Sequence, residues 1–172
     1  FWSYSTDVYQ RPEIEKTCLE MQNQYQADIN ILLYCCWLGE KRIQLTEADI
    51  KTLVDTSQPW QTNILSHLRA ARTILKTSNI IIPHEQRSQT HDTICKMELD
   101  AEHMAQLALE KAINLKKKSK SKTHSASDCT TSNLTLYCQQ LGTLTPEQIT
   151  AQLASISTAL LMKADISDQA AS

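Results

Sequence analysis

The sequence predicts an all-α protein: an N-terminal bundle of about six helices over residues 1–115 and a C-terminal helical pair over residues 133–165. Two observations carry this. Only two glycines and four prolines occur in 172 residues, whereas sheet proteins need turn residues every few positions. Apolar residues also recur at three- and four-residue spacings along most of the chain. The apolar content of 41% is enough to build a core and excludes wholesale disorder.

Residues 1–10 read as a short helix with Trp2, Val8 and Tyr9 turned inward. Pro12 suits the first position of a second helix, where an amide hydrogen has no partner to lose. That helix runs to about Tyr25 and buries Ile14, Cys18, Leu19 and Met21. Asp28 is the expected N-cap of a third helix. Residues 29–38 are almost continuously apolar, as a central helix requires, and Gly39 is expected to end it. Thr46 and Asp49 resemble a cap ahead of Ile50, Leu53 and Val54. Pro59 is expected to start the next helix, with Trp60, Ile64, Leu68, Ala71 and Leu75 on one face.

The run Ile80, Ile81, Ile82 is too short and isolated for a sheet and reads as a buried connector. A long helix follows from about Glu85 to Leu115, with Ile94, Met97, Ala101, Met104 and Ala108 inward. Residues 116–132, rich in lysine, serine and threonine, read as a flexible linker. Beyond it, residues 134–141 make one helix. Thr145, Pro146 and Gln148 form a capping-box signature for the last, whose stripe is Ile149, Leu153, Ile156 and Leu160. The tail, residues 166–172, is expected to fray. Eight of the nine aromatic residues precede residue 61, which places the main core N-terminally and makes the last two helices accessory.

Net charge is −2, distributed as −5 over residues 1–110, +6 over 111–122 and −3 beyond. No apolar run approaches the roughly 18–20 residues that span a bilayer. With no secretion signal visible, a cytoplasmic setting is expected. The six cysteines show neither a CxxC pair nor Cys/His metal spacing, so they read as reduced and mostly buried, the adjacent Cys35 and Cys36 included. Gly39 and Gly142 are too few for a phosphate loop or dinucleotide fingerprint, and no Gly-x-Ser-x-Gly occurs. No cofactor is expected.

Four polar features remain. Asp28 and Asn30 head the most apolar helix; Arg69 and Arg72 share one helical face, as do Glu98 and Glu102. If their helices pack antiparallel, the arginines meet the glutamates and Asp28 across the bundle. The favoured reading is a structural ion-pair network fixing helix register. The alternative is a pocket in which guanidinium groups hold a phosphate or carboxylate and a glutamate acts as acid or base. Glu98, Glu102 and His103 lack the repeated Glu-x-x-His form of di-iron bundles, so no metal is expected. The fourth feature, Lys116, Lys117, Lys118, Lys120 and Lys122, has no interleaved aromatics for base stacking and reads as a solvated linker, with weak electrostatic contact to nucleic acid as a lesser reading.

The ordered string Phe1-Trp2-Ser3-Tyr4-Ser5, Val8-Tyr9, Cys18-Leu19, Asp28-Ile29-Asn30-Ile31-Leu32-Leu33, Trp37, Trp60, Leu68-Arg69-Ala70-Ala71-Arg72 and Glu98-Leu99-Asp100-Ala101-Glu102 resembles a family of bacterial conserved hypothetical proteins known as a domain of unknown function, DUF2390. The similarity covers roughly residues 1–110 and implies no reaction. It selects Asp28, Asn30, Trp37, Arg69, Arg72, Glu98 and Glu102 as the candidate polar network or pocket. Three positions depart from the pattern: Tyr4 stands where Phe is usual, and Glu13 and Gln26 stand where Gly is usual. The expected function is a non-enzymatic, cytoplasmic interaction module with a protein partner. A protein or enzyme binding a small anionic ligand is the second reading.

Overall fold

The computed structural model describes residues 1–77, 81 and 83–169. Eight α-helices are present among the described residues: α1 Trp2–Tyr9, α2 Pro12–Tyr25, α3 Ile29–Glu40, α4 Glu47–Trp60, α5 Ser66–Thr77, α6 His84–Ala112, α7 Ala126–Leu141 and α8 Pro146–Gln169. No strand occurs among them. The all-α expectation holds, and no helix is long and apolar enough to cross a membrane.

The caps legible in the sequence form. Asp28 accepts a hydrogen bond from the Asn30 amide at 2.8 Å and starts α3. Thr46 and Asp49 make a reciprocal capping box on α4. The Thr145 amide donates to the Gln148 side chain at 2.8 Å, and the Gln148 amide donates back to the Thr145 hydroxyl at 3.3 Å, opening α8. Each satisfies donors that a helix start leaves unpaired.

Helix α3 is central, as its apolar composition demands, and buries nine of its twelve residues. Its most extensive neighbour is α7, which corrects the picture of an N-terminal core with an accessory pair. Leu134, Tyr137 and Cys138 of α7 and Ile149, Leu153 and Ile156 of α8 belong to the same apolar cluster as Val8, Ile14 and Leu38. Counting aromatics misplaces the core because Tyr137 is the single aromatic of α7 and α8, whose share is otherwise filled by Leu134, Cys138, Ile149, Leu153 and Ile156. Helix α7 also begins at Ala126 rather than near residue 133, capped by a Ser125–Asp128 box, with Cys129 and Thr130 buried. Residues 126–132 are therefore helix and not linker. The segment before it is tied down as well: Lys118 pairs with Asp49, and the Ser121 amide donates to the Arg42 carbonyl at 2.8 Å.

Gly39 does not end α3; the helix continues to Glu40. The glycine serves packing instead, because a Cβ there would overlap the hydroxyl and backbone of Thr130 on α7. The loop after α3 is held by Asn133, which is fully buried. It accepts from the Leu45 amide at 2.8 Å and donates to the Ile43 carbonyl at 3.0 Å.

Pro59 likewise does not begin a helix but lies inside α4. Its missing amide hydrogen removes one helical bond. A π-helical turn over Gln61–Leu65 then carries the chain into α5, so residues 47–77 are continuously helical. Of the tri-isoleucine connector, Ile80 and Ile82 lie outside the described residues, while Ile81 is fully exposed rather than buried. Helix α6 ends at Ala112 and exposes Met97 and Met104, its buried positions being Ala101, Ala105, Gln106 and Leu109. Helix α8 runs through Gln169, past the expected fraying point; residues 170–172 lie outside the described residues.

Candidate functional site

Helices α1, α2, α3, α5 and α6 and the π turn line an open cavity of about 410 Å³. Its floor is polar and its rim partly apolar. Asp28, Asn30, Arg69, Arg72, Glu98 and Glu102 all line it, so six of the seven residues chosen from sequence are brought together. Trp37 is not among them: its ring packs against Phe1 and Tyr34 at 5.5 Å, and Lys41 lies over it at 4.8 Å. The tryptophan belongs to the core, which is the commoner use of a large aromatic on a central helix.

The polar floor is a connected network. The Asn30 side chain donates to Glu102 and accepts from Gln106 at 2.8 Å. Gln106 in turn accepts from the Ser5 hydroxyl at 2.9 Å. The second Glu102 oxygen takes a terminal nitrogen of Arg69, whose other terminal nitrogen reaches Gln61 at 3.2 Å. Asp28 accepts from Ser57 and the Asn30 amide, while its own amide donates to the Tyr137 hydroxyl at 2.6 Å. The hub thus joins α1, α3, α4, the π turn, α5, α6 and α7.

Burial pushes the Asp28 carboxyl above its ordinary value, and hydrogen bonds from Ser57, Asn30 and Gln61 offset only part of this. Burial likewise raises Glu102; Asn30 and Arg69 pull it down, and the neighbouring Asp28 charge pushes it up.

Arg72 differs from Arg69. Its Nε donates to Glu98 at 2.7 Å, and no other hydrogen bond to it is present among the described residues. Both terminal nitrogens are therefore without a protein acceptor there, on a side chain about 35% exposed in the cavity wall. That bond to Glu98 holds the guanidinium protonated more firmly than usual.

Several lining residues were not singled out in sequence: Trp2, Ser5, Gln61, Cys95 and Gln106. Three of them were within reach. Extending the Glu98–Glu102 face of α6 by four gives Gln106 and stepping back three gives Cys95. Gln61 sits in the π turn that follows Pro59. Ser5 and Trp2 carry no such signal, because α1 reaches the site only through tertiary packing. His103 stacks on Trp2 with ring centroids 4.4 Å apart. The lysines stand elsewhere: Lys116 and Lys117 lie in a 3₁₀ turn, Lys118 pairs with Asp49, and Lys120 and Lys122 are exposed.

Every residue lining this cavity falls between Trp2 and Gln106. The family model for a protein of unknown function, DUF2390, matches residues 1–109, more than half of the chain. The chain belongs to the DUF2390 family. Helices α7 and α8 lie beyond the DUF2390 match, although α7 supplies Tyr137 beneath the site. No curated protein and no solved structure matches the chain.

Proposed function

We propose that this DUF2390 protein binds a small organic carboxylate with an apolar body in the cavity between α1, α3, α5 and α6. The single observation that carries this reading is the open guanidinium fork of Arg72. Two parallel N–H donors at a cavity wall match a carboxylate bidentately. The volume falls in the range of small-molecule sites, and Trp2, Leu19 and Leu99 supply apolar walls for the ligand's body. Glu98 bonds the Nε of that fork and holds it in place, while Arg69 pairs with Glu102.

This reading is preferred to an interaction module although the sequence shows no catalytic signature, because the accessory helix pair expected beyond a flexible linker does not stand apart. Helices α7 and α8 are instead engaged in the core. The six free cysteines, five of them buried, support a reducing, cytoplasmic setting.

The test is a thermal-shift and calorimetric panel of aliphatic and aryl carboxylates, with their amides as neutral controls. Binding by carboxylates and not by the matched amides is expected. A panel in which amides bind as well as acids, or in which nothing binds, overturns the assignment.

A further inference from the structure

The cavity wall also carries a nucleophile that anion binding does not use. Cys95 is half-buried and lines the cavity, whereas the other five cysteines are buried. Its Sγ lies 3.7 Å from His91 Nδ1 and 3.9 Å from His91 Nε2. The near-equal distances bring either ring nitrogen within reach of the thiol proton after a small rotation of the imidazole. His91 Nδ1 is itself 3.4 Å from Asp92 Oδ1. Arg72 lines the same cavity and bonds Glu98, three residues beyond Cys95 on α6. Residues 91, 95, 98 and 102 follow one face of α6, so base, thiol and the Arg72 partner Glu98 are aligned in that order. A base placed to take the thiol proton is what a cysteine nucleophile requires.

We propose that Cys95 captures, covalently, small carboxylates bearing an electrophilic carbon while the Arg72 fork holds their carboxylate. This rests on the carboxylate reading of the cavity. With an α,β-unsaturated acid, the thiol proton passes to His91 and Sγ bonds to the β carbon. The π pair moves to the α carbon, which takes the proton back from the imidazolium. The product is a saturated thioether; no electrons leave or enter the pair of reactants.

Iodoacetate and iodoacetamide probe this directly, because they differ in charge and share a reactive carbon. Here the C–I bond breaks and iodide leaves with its electron pair, while the thiol proton passes through His91 to solvent. Labelling is read at Cys95 by peptide mass spectrometry, with the same cysteine in the urea-unfolded chain as reference. The iodoacetate-to-iodoacetamide rate ratio in the folded protein is expected to exceed the unfolded one by about tenfold or more. Arg72→Gln is expected to bring the ratio down to the unfolded value, and His91→Asn to slow both reagents. A folded-state ratio equal to the unfolded one overturns the proposal, as does a folded Cys95 that reacts no faster than the unfolded one with either reagent. Carboxylate binding by the Cys95→Ser protein separates the two readings. If it binds while labelling is unselective, only covalent capture falls; if it does not bind, both fall.

Discussion

Arg72 lines the cavity and bonds Glu98 through Nε at 2.7 Å, and its two terminal nitrogens have no protein acceptor among the described residues. The same residue type three positions earlier is fully used: Arg69 bridges Glu102 and Gln61. The two arginines therefore predict different outcomes for ligand binding. Arg72→Gln is expected to weaken carboxylate binding about 10- to 100-fold, the value of a charge-assisted fork. It also strands Glu98, whose side chain is only 15% exposed, so a loss of folding stability of about 1 kcal/mol or more is expected beside the loss of binding. Arg69→Gln, which strands a largely buried glutamate, is expected to lower the urea midpoint. Calorimetry and urea titration on both variants check this.

Titration of the floor has a defined sign. Asp28 and Glu102 are raised by burial, so the folded chain holds protons that the unfolded chain has released between the ordinary carboxyl range, about 4, and the raised values. Their contribution to stability falls as pH rises through that window and is level above it. Glu102→Gln cannot titrate, so its stability relative to the parent protein is expected to climb across the same window. Urea midpoints measured from pH 4 to 7 test this, and a difference that does not vary with pH contradicts a raised Glu102.

Gly39→Ala is expected to cost about 2 kcal/mol or more, since α3 and α7 must separate to admit the methyl group. The overlap involves Thr130 backbone as well as its hydroxyl, so Thr130→Ala added to Gly39→Ala is expected to restore little. Full rescue by the double substitution would show that only the side chain is in the way.

Gln26 adopts φ +59, the left-handed conformation that closes α2. This is the position where the resemblance to the family expects glycine. Gln26→Gly is expected to raise stability by about 0.5–1 kcal/mol, because the Cβ strain of a left-handed residue is relieved. Thermal denaturation reads the gain.

The family-matched segment contains only part of the core, because α7 and α8 supply the rest. Residues 1–110 alone are expected to lack a cooperative unfolding transition, since Leu134, Tyr137 and Cys138 fill the other side of α3. Within the whole chain, Tyr137→Phe leaves the Asp28 amide without its partner and is expected to cost about 1–2 kcal/mol. Circular dichroism of the truncated chain, and urea titration of the substituted one, measure these.

Helix identity, the three N-terminal caps at Asp28, Thr46 and Thr145, and the central place of α3 were legible in the sequence. Each depends on residues within a few positions of one another, where side-chain geometry acts directly on the backbone. The pairing of Arg69 and Arg72 with Glu102 and Glu98 was legible as a possibility, because i,i+3 and i,i+4 spacing places like groups on one face. Gly39, Pro59 and residues 126–132 were misread for a shared reason. Their local chemistry suits a break, but a contact from a distant helix or a π turn gives them another use.

By itself, then, the sequence determined that this chain is helical, where most helices start, and which six polar residues belong together. Only the tertiary structure decided that α7 completes the core, that Trp37 stands apart, and that the cluster surrounds a cavity with one open fork. The reason is physical. Local spacing sets which face of a helix a residue occupies, but the space between faces, and the donors left over in it, exists only once the helices have packed.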